Sequence, residues 1–284
     1  MIPSSFDYAA PDSVENAVAA LASTEESKVL AGGQSFIPVL RLRMAHPDLV
    51  VDLRRIDELK GVSLQGDRVV IGAMTTHHQV TTDPIIAEHL PLLAAATATV
   101  ADPAIRHRGT FGGAIAHADP AGDLLSVAIA LDAQMSIAGL SGRRTVPAAE
   151  FFTDFLTTAV GPDEVLVSVS FPSFAGWGVH YEKFNRTAQS WAIVGVAAAV
   201  KRSNGTIEAA RIGLTNMGPT PVRASAVEAA LIGAAATIDT VSSAAQAADQ
   251  GTSPTSDLNA AADYRKHLAK VLTGRAVATA AHLV

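Results

Sequence analysis

Two glycine-centred stretches constrain this chain more than any other feature: Ala31-Gly32-Gly33-Gln34-Ser35, and far downstream Gly109-Thr110-Phe111-Gly112-Gly113-Ala114. The first follows the apolar pair Val29-Leu30 and leads into Phe36-Ile37-Pro38. Glycine lets a backbone adopt positive φ and approach a ligand without a Cβ in the way. Consecutive N–H groups turned inward form a nest for an anion, most often a phosphate. Neither stretch has the three-glycine spacing of the dinucleotide fingerprint, and neither ends in the Gly-Lys-Ser or Gly-Lys-Thr of a P-loop. A single Gly-Gly pair reads as a tight turn. Two copies, each followed by small or apolar residues, favour a ligand, and the expectation is that the fold brings both loops to one diphosphate.

The bulk properties set limits. A chain of 284 residues, 49% hydrophobic and 17% charged, has enough apolar material for two or three compact units. A net charge of −6 supplies no basic field for nucleic acid or an anionic membrane surface. With no cysteine, the chain makes no disulfide, no thiolate zinc site and no cysteine-ligated iron–sulfur cluster of its own. The longest apolar run, Trp191 to Val200, is too short to span a bilayer, and Met1 to Ser5 lacks the layout of an export signal. A cytoplasmic protein without a membrane span is expected.

Along the chain, Asp12 or Ser13 caps a helix whose Val14, Ala17, Val18 and Leu21 share a face. Strands at 28–31 and 49–53 flank the first glycine loop and a short helix at 38–44. Hairpins are expected at 62–72 and 134–146, helices at 76–80, 84–98 and 121–131, and a strand at 164–171 stopped by Pro172. Ser173 to Gly178 reads as a linker. Strands follow at 178–184, 193–201 and 207–215, with Asn204-Gly205 a hairpin turn. Helices then cover 221–232 and 237–249, and a long one covers 257–282 with Gly274 as a candidate break.

Other polar candidates are less organised. His117-Ala118-Asp119-Pro120-Ala121-Gly122-Asp123 lacks the converging ligands of a metal centre, and the expectation is a turn at Asp119-Pro120 that leaves Asp123 at a helix start as an acceptor for a ribose hydroxyl, or as a plain cap. No G-x-S-x-G elbow surrounds Ser35, Ser126 or Ser190. His77-His78 reads as a solvated helix start, and Arg106-His107-Arg108 as a basic turn, solvated or facing a diphosphate. Lys183 reads as a strand lysine, and Trp191 as core or as a flat cover for an aromatic cofactor.

Taken together, Ala31-Gly32-Gly33-Gln34-Ser35 with Phe36-Ile37-Pro38, and Arg108-Gly109-Thr110-Phe111-Gly112-Gly113, resemble the FAD-binding medium subunits of molybdenum hydroxylases, the xanthine dehydrogenase family, and within it the carbon monoxide dehydrogenase type. The resemblance extends through Pro3 to Tyr8, Val70 to Thr76, Ile212 to Asn216 and Tyr264 to Ala269. It implies an α+β fold: a PCMH-type FAD-binding region of two α+β subdomains (1–57 and 58–175), then a smaller C-terminal α+β domain (176–284) built on a three-stranded antiparallel sheet with helices.

The resemblance also implies one non-covalent FAD. Val29, Leu30, Ala31, Gly32, Gly33, Gln34, Ser35 and Phe36 would hold it from the first loop, and Thr110, Phe111, Gly112, Gly113 and Ala114 from the second, with Val100 and Ile105 nearby. Asp123 would take the ribose end, Leu166 would line the adenine or flavin pocket, and Lys183 and Trp191 would lie near the isoalloxazine. No residue of this chain is expected to be catalytic or to bind a metal. The implied partners are a small iron–sulfur subunit and a large molybdopterin subunit in a dimer of heterotrimers, with electrons passing from [2Fe–2S] clusters through FAD to an external acceptor. Three positions depart from the pattern: Ala114 replaces an asparagine, Gln34 a histidine common in carbon monoxide dehydrogenases, and Trp191 a tyrosine. Medium subunits of N-heterocycle hydroxylases of the nicotine and purine type are similar, and a scaffold subunit that has lost FAD is the other alternative.

Overall fold

The computed structural model describes residues 2–284. The chain opens with β1 (Asp7–Ala9), α1 (Val14–Ala22), β2 (Ser27–Leu30), α2 (Phe36–Arg41) and β3 (Leu49–Asp52). The three strands form a parallel sheet in the order β1-β3-β2. Ser13 caps α1 by accepting the Asn16 amide, and Val14, Ala17, Val18 and Leu21 are buried beneath it. The strand β1 is new relative to the sequence reading, since Asp-Tyr-Ala carries no apolar run. Two 3-10 turns, Leu53–Arg55 and Asp57–Leu59, lead out of this unit.

Next come β4 (Val62–Gln65), β5 (Arg68–Gly72), α3 (His77–Thr82), α4 (Pro84–His89), α5 (Pro91–Ala98), α6 (Pro103–Arg106), α7 (Phe111–His117) and α8 (Asp123–Ala130). They are followed by β6 (Gln134–Gly139), β7 (Gly142–Pro147), α9 (Ala148–Phe151), β8 (Phe152–Asp154), β9 (Thr157–Thr158) and β10 (Val165–Pro172). The five long strands form an antiparallel sheet, β4-β5-β10-β6-β7, with the last strand in the middle. The single helix expected over 84–98 is two helices. Pro91 lacks the N–H an interior position needs, so it starts a new helix instead and Leu90 leaves the helical region at φ −134°.

The remaining elements are β11 (Gly178–Phe184), β12 (Val194–Ser203), β13 (Thr206–Thr215), β14 (Val222–Arg223), α10 (Ser225–Leu231), α11 (Ile238–Ala245) and α12 (Ala262–Ala280). A two-residue β14 extends the expected three antiparallel strands to four, in the order β11-β12-β13-β14. β14 and the turn after it occupy the start of the helix expected at 221. The long C-terminal helix runs unbroken through Gly274, but starts five residues late. Asp257 accepts the amides of Asn259 and Ala260 and pairs with Arg265, fixing a turn where a first helical turn was expected.

β12 explains how this sheet joins the rest. Val194, Val196, Ala198 and Val200 enter the C-terminal core beneath α12, while Ala197 and Ala199 enter the large core with α5 and α8. A strand covered on both faces has to be apolar at every position, which is why 194–200 carries no polar side chain. The presumed linker is also anchored: Phe174 is buried, its amide donates to His89 O at 2.8 Å, and its ring meets Trp177 edge-on at 4.8 Å.

Candidate cofactor site

The two glycine loops meet. β2 delivers the first loop directly opposite the turn that precedes α7. A Cβ on Gly32 would run into the Arg108 carbonyl and sit 2.7 Å from Gly109 Cα. Only glycine allows that approach. Gly33 has φ +76°, the left-handed region that glycine enters without strain. Ile37 N donates to Gly33 O at 3.1 Å, and Gln34 Nε2 folds back on Gly32 O at 3.0 Å. Among the described residues, the amides of Gly33, Gln34 and Ser35 donate to no protein acceptor. Consecutive unengaged amides on a glycine turn are the donor set an anionic diphosphate takes.

The second loop is built differently. Phe111 N donates to Thr75 O at 2.8 Å, Gly112 N to Ala73 O at 2.9 Å, and Ala114 N to Thr110 O at 3.1 Å. Gly113 N donates to the Thr110 hydroxyl, which caps α7 at 3.2 Å. This loop is tied into the core by its own backbone. His77, read from sequence as solvated, is part of that tie: its amide donates to Gly109 O at 3.0 Å and its ring is 4% exposed. Burial, helped by the nearby Arg106 charge, lowers its pKa to about 4. His78 does lie outside and stacks on His107, centroids 4.0 Å apart.

Two clefts are present, and loop residues line the first of them. The first, about 420 Å³, is walled by Val29, Ala31, Gly112, Gly113 and Leu166, with Met74, Thr158 and Glu164 opposite. Arg144 grips Glu164 through both carboxylate oxygens at 3.0 and 2.7 Å, and with the Gly161 amide holds its pKa below the ordinary range. The second cleft, about 620 Å³, lies between the α5–α6 turn (Thr99, Asp102, Arg106) and β11 with its following loop (His180, Glu182, Lys183, Gln189).

Residues 4–174 match the FAD binding domain in molybdopterin dehydrogenase, and residues 179–280 match the CO dehydrogenase flavoprotein C-terminal domain. The chain belongs to this family of flavoprotein subunits. The carbon monoxide dehydrogenase medium chain of Hydrogenophaga pseudoflava is 42% identical over 279 residues, 98% of this chain and 97% of the relative. The 6-hydroxypseudooxynicotine dehydrogenase complex subunit alpha of Paenarthrobacter nicotinovorans is 37% identical over 99% of this chain and 96% of its own. A solved carbon monoxide dehydrogenase from H. pseudoflava superposes with a TM-score of 0.96 at 45% identity, covering 99% of this chain and 98% of that one. This subunit is thus an α+β, FAD-binding member of the molybdenum hydroxylase flavoproteins, an oxidoreductase component, and the Gly32–Gly109 contact with the three unengaged amides fits the cofactor.

Within the flavoprotein subunit, the residues named from sequence separate into groups. Val29, Ala31, Gly112, Gly113 and Leu166 share the first cleft; Gly32 to Phe36 form the open loop beside it; Lys183 borders the second cleft. Leu30 packs beneath the loop, its Cδ1 3.4 Å from where a Gly33 Cβ would be. Thr110 and Ala114 bond to each other and to the loop backbone. Phe111 is fully buried against Phe171, centroids 6.1 Å apart, so its side chain offers no surface to a ligand. Val100 and Ile105 line neither cleft and act through their carbonyls: Val100 O accepts from Arg106 at 2.8 Å, and Ile105 O from Gly109 N at 2.7 Å. Trp191 is 56% exposed and lines neither cleft. Asp123 is buried, with one oxygen taking Tyr181 OH and the other taking Lys183 Nζ, each at 2.7 Å.

The clefts also hold Glu164, His180 and Glu182, which the sequence reading did not single out. Glu164 sits at the start of β10 and carries no motif. His180 and Glu182 are two apart on a strand, 2.9 Å from each other, and that spacing was the one available signal.

Proposed function

We propose that this chain holds one FAD non-covalently, its diphosphate on the Gly33–Ser35 amides, its adenosine end in the first cleft against Val29 and Leu166, and its isoalloxazine in the second cleft beside Lys183. Bound there, FAD supplies the step between one-electron carriers and a two-electron acceptor. The protein's own residues bind and orient it; none is called on as an acid, base or nucleophile. The chain lacks cysteine, so the [2Fe–2S] donors lie in a small partner subunit and the molybdopterin in a large one, in a cytoplasmic dimer of heterotrimers. Residues 1–57, 58–175 and 176–284 are read as the subdomains that build the two clefts between them.

The full-length similarity to the carbon monoxide dehydrogenase medium chain favours carbon monoxide as the substrate of the complex. The similarity to the 6-hydroxypseudooxynicotine dehydrogenase subunit, and Gln34 at the histidine position, favour an N-heterocycle hydroxylase as the second reading.

The close approach of Gly32 to Gly109 carries the proposal. Gly32→Ala forces a Cβ into backbone that cannot rotate away, an overpacking cost of about 1–3 kcal/mol, so FAD affinity should fall roughly tenfold to a hundredfold. Flavin fluorescence titration of the full chain reads this directly. Release of FAD rather than FMN from the denatured wild-type protein is expected alongside. Unchanged affinity in Gly32→Ala would move the diphosphate elsewhere.

A further inference from the structure

One exposed apolar surface lies outside both clefts and begins where the first glycine loop ends. α2 follows Ser35 directly, and of its six residues Leu40 alone is buried. Pro38, Arg41 and Leu42 are three and four apart, so they share the outer face of the helix and its cap, and all three are exposed. Leu42 is 58% exposed, Met44 73% and Ile2 82%. Arg43 Nε donates to Ile2 O at 3.2 Å, and His46 Nδ1 lies 3.2 Å from Ser4 Oγ. These contacts lay the N-terminal arm beside the turn after α2, and bring Ile2 to the end of the helix that carries Leu42 and Met44.

The turn itself departs from the usual form twice. Arg43 N donates to Leu40 O at 3.0 Å and Met44 N to Val39 O at 3.1 Å, the paired bonds of a Schellman ending. Arg43 holds the left-handed position of that motif at φ 58°, where glycine is the unstrained residue. An apolar side chain in the place of Met44 ordinarily turns back onto the helix, and here it stands in solvent. Both departures cost the isolated chain stability, and both set at the surface residue types that interfaces favour. Arg41 and Arg43 pair with no carboxylate among the described residues, in a chain of net charge −6.

We infer that this surface, Pro38, Arg41, Leu42, Arg43 and Met44 with Ile2, is where the small iron–sulfur subunit docks through an apolar patch with a carboxylate rim. The inference rests on the proposed division of the complex, with FAD in this chain and the clusters in that subunit. This chain has no cysteine, so its electrons arrive from another chain, and that chain has to sit against the FAD site. The surface adjoins that site: α2 has six residues, about 9 Å of helix, and its first residue follows the loop. Ile37 ties the two together, donating its amide to Gly33 O at 3.1 Å and placing Cδ1 2.6 Å from where a Gly33 Cβ would be. The free arginines call for an acidic partner surface. A two-fold contact between two copies of this chain would set the same arginines against each other. Electrons reach FAD from the clusters and not directly from molybdopterin, which favours the small subunit over the large one.

The test expresses the full chain with the small and large subunits of its complex and reads assembly by size-exclusion chromatography. Binding of the small subunit alone is read by titration calorimetry. Leu42→Glu/Met44→Glu should weaken that binding roughly a hundredfold, because two carboxylates then stand where the partner lays apolar side chains. Arg41→Gln/Arg43→Gln should weaken it about tenfold and flatten its dependence on salt. Arg43→Gly separates docking from folding. Glycine suits the left-handed position, so this variant should melt no lower than wild type while binding the small subunit about threefold more weakly. In every variant FAD affinity, by fluorescence titration, should stay within about threefold of wild type, since none of these side chains reaches either cleft. Undiminished binding of the small subunit by Leu42→Glu/Met44→Glu would overturn the inference. So would loss of the large subunit alone, or a change confined to self-association of the chain. An Arg43→Gly variant that melts lower and binds the small subunit as wild type does would overturn the part given to Arg43. Wild-type chain that takes up no FAD is a different failure, that of the cofactor reading, and shows itself with small-subunit binding unchanged.

Discussion

Gly32-Gly33 and Gly112-Gly113 are the same dipeptide set in opposite surroundings. Around the first, the amides of Gly33, Gln34 and Ser35 have no protein acceptor among the described residues, and Gln34 is exposed. Around the second, the amides from Phe111 to Ala114 are all engaged, by Thr75, Ala73 and Thr110. On the proposed reading, the first loop is the one open to the diphosphate, and the second is the wall that sets its distance. Substitutions in the first should therefore appear chiefly as lost FAD affinity, Gly32→Ala adding a loss of stability because its Cβ meets the Arg108 and Gly109 backbone. Substitutions in the second should appear as lost stability.

The largest effect should come from Gly112→Ala. A Cβ there would overlap the backbone of Ala73, and neither chain segment can give way because each is bonded to the other. Overpacking of this kind against main chain costs about 3 kcal/mol or more. Chemical denaturation of the chain without added FAD checks it. A variant as stable as wild type that has lost FAD would erase the distinction between the loops.

His77 makes the same point through pH. Its folded pKa is about 4, against an ordinary value of 6.5, because burial disfavours the charged ring. The unfolded chain therefore binds a proton that the folded chain refuses. The contribution is fully present above pH 6.5 and is lost as pH falls toward 4. That loss is about 3 kcal/mol, from the size of the shift. His77→Gln should flatten the fall in melting temperature between pH 7 and 5 while leaving FAD affinity at pH 8 within threefold. An undiminished slope in the variant would place the sensitivity elsewhere.

What could be read from sequence follows the range of the interaction. Asn204-Gly205 sits at φ 50° and 77° in the β12–β13 hairpin, as its composition required, because a two-residue turn is decided by its own two residues. The strand at 193–201 was equally plain, although the covering of both its faces was not. The glycine loops were visible as motifs, but the difference between them was not, since it depends on which carbonyls of residues 73–75 lie opposite. The Asp123–Lys183 pair joins residues far apart in sequence through two elements from different regions, and no local spacing announces it. His77 was misread for the same reason: it looks like a polar helix start until Gly109 is placed against it.

The smallest and most discriminating test is Thr110→Val. The Thr110 hydroxyl accepts the Gly113 amide at 3.2 Å and caps α7, while valine keeps the shape and removes the acceptor. Loss of a cap costs about 1 kcal/mol, and at this position it leaves one amide without a partner. If the second loop is only a wall, the variant melts slightly lower and binds FAD within threefold of wild type, because no diphosphate contact passes through that hydroxyl. If the loop contributes donors of its own, two opposing changes follow: the hydroxyl is lost, and the freed Gly113 amide becomes available to the phosphate. Affinity would then move by tenfold or more in either direction. Isothermal titration with FAD, alongside a melt of the same sample, separates the two outcomes.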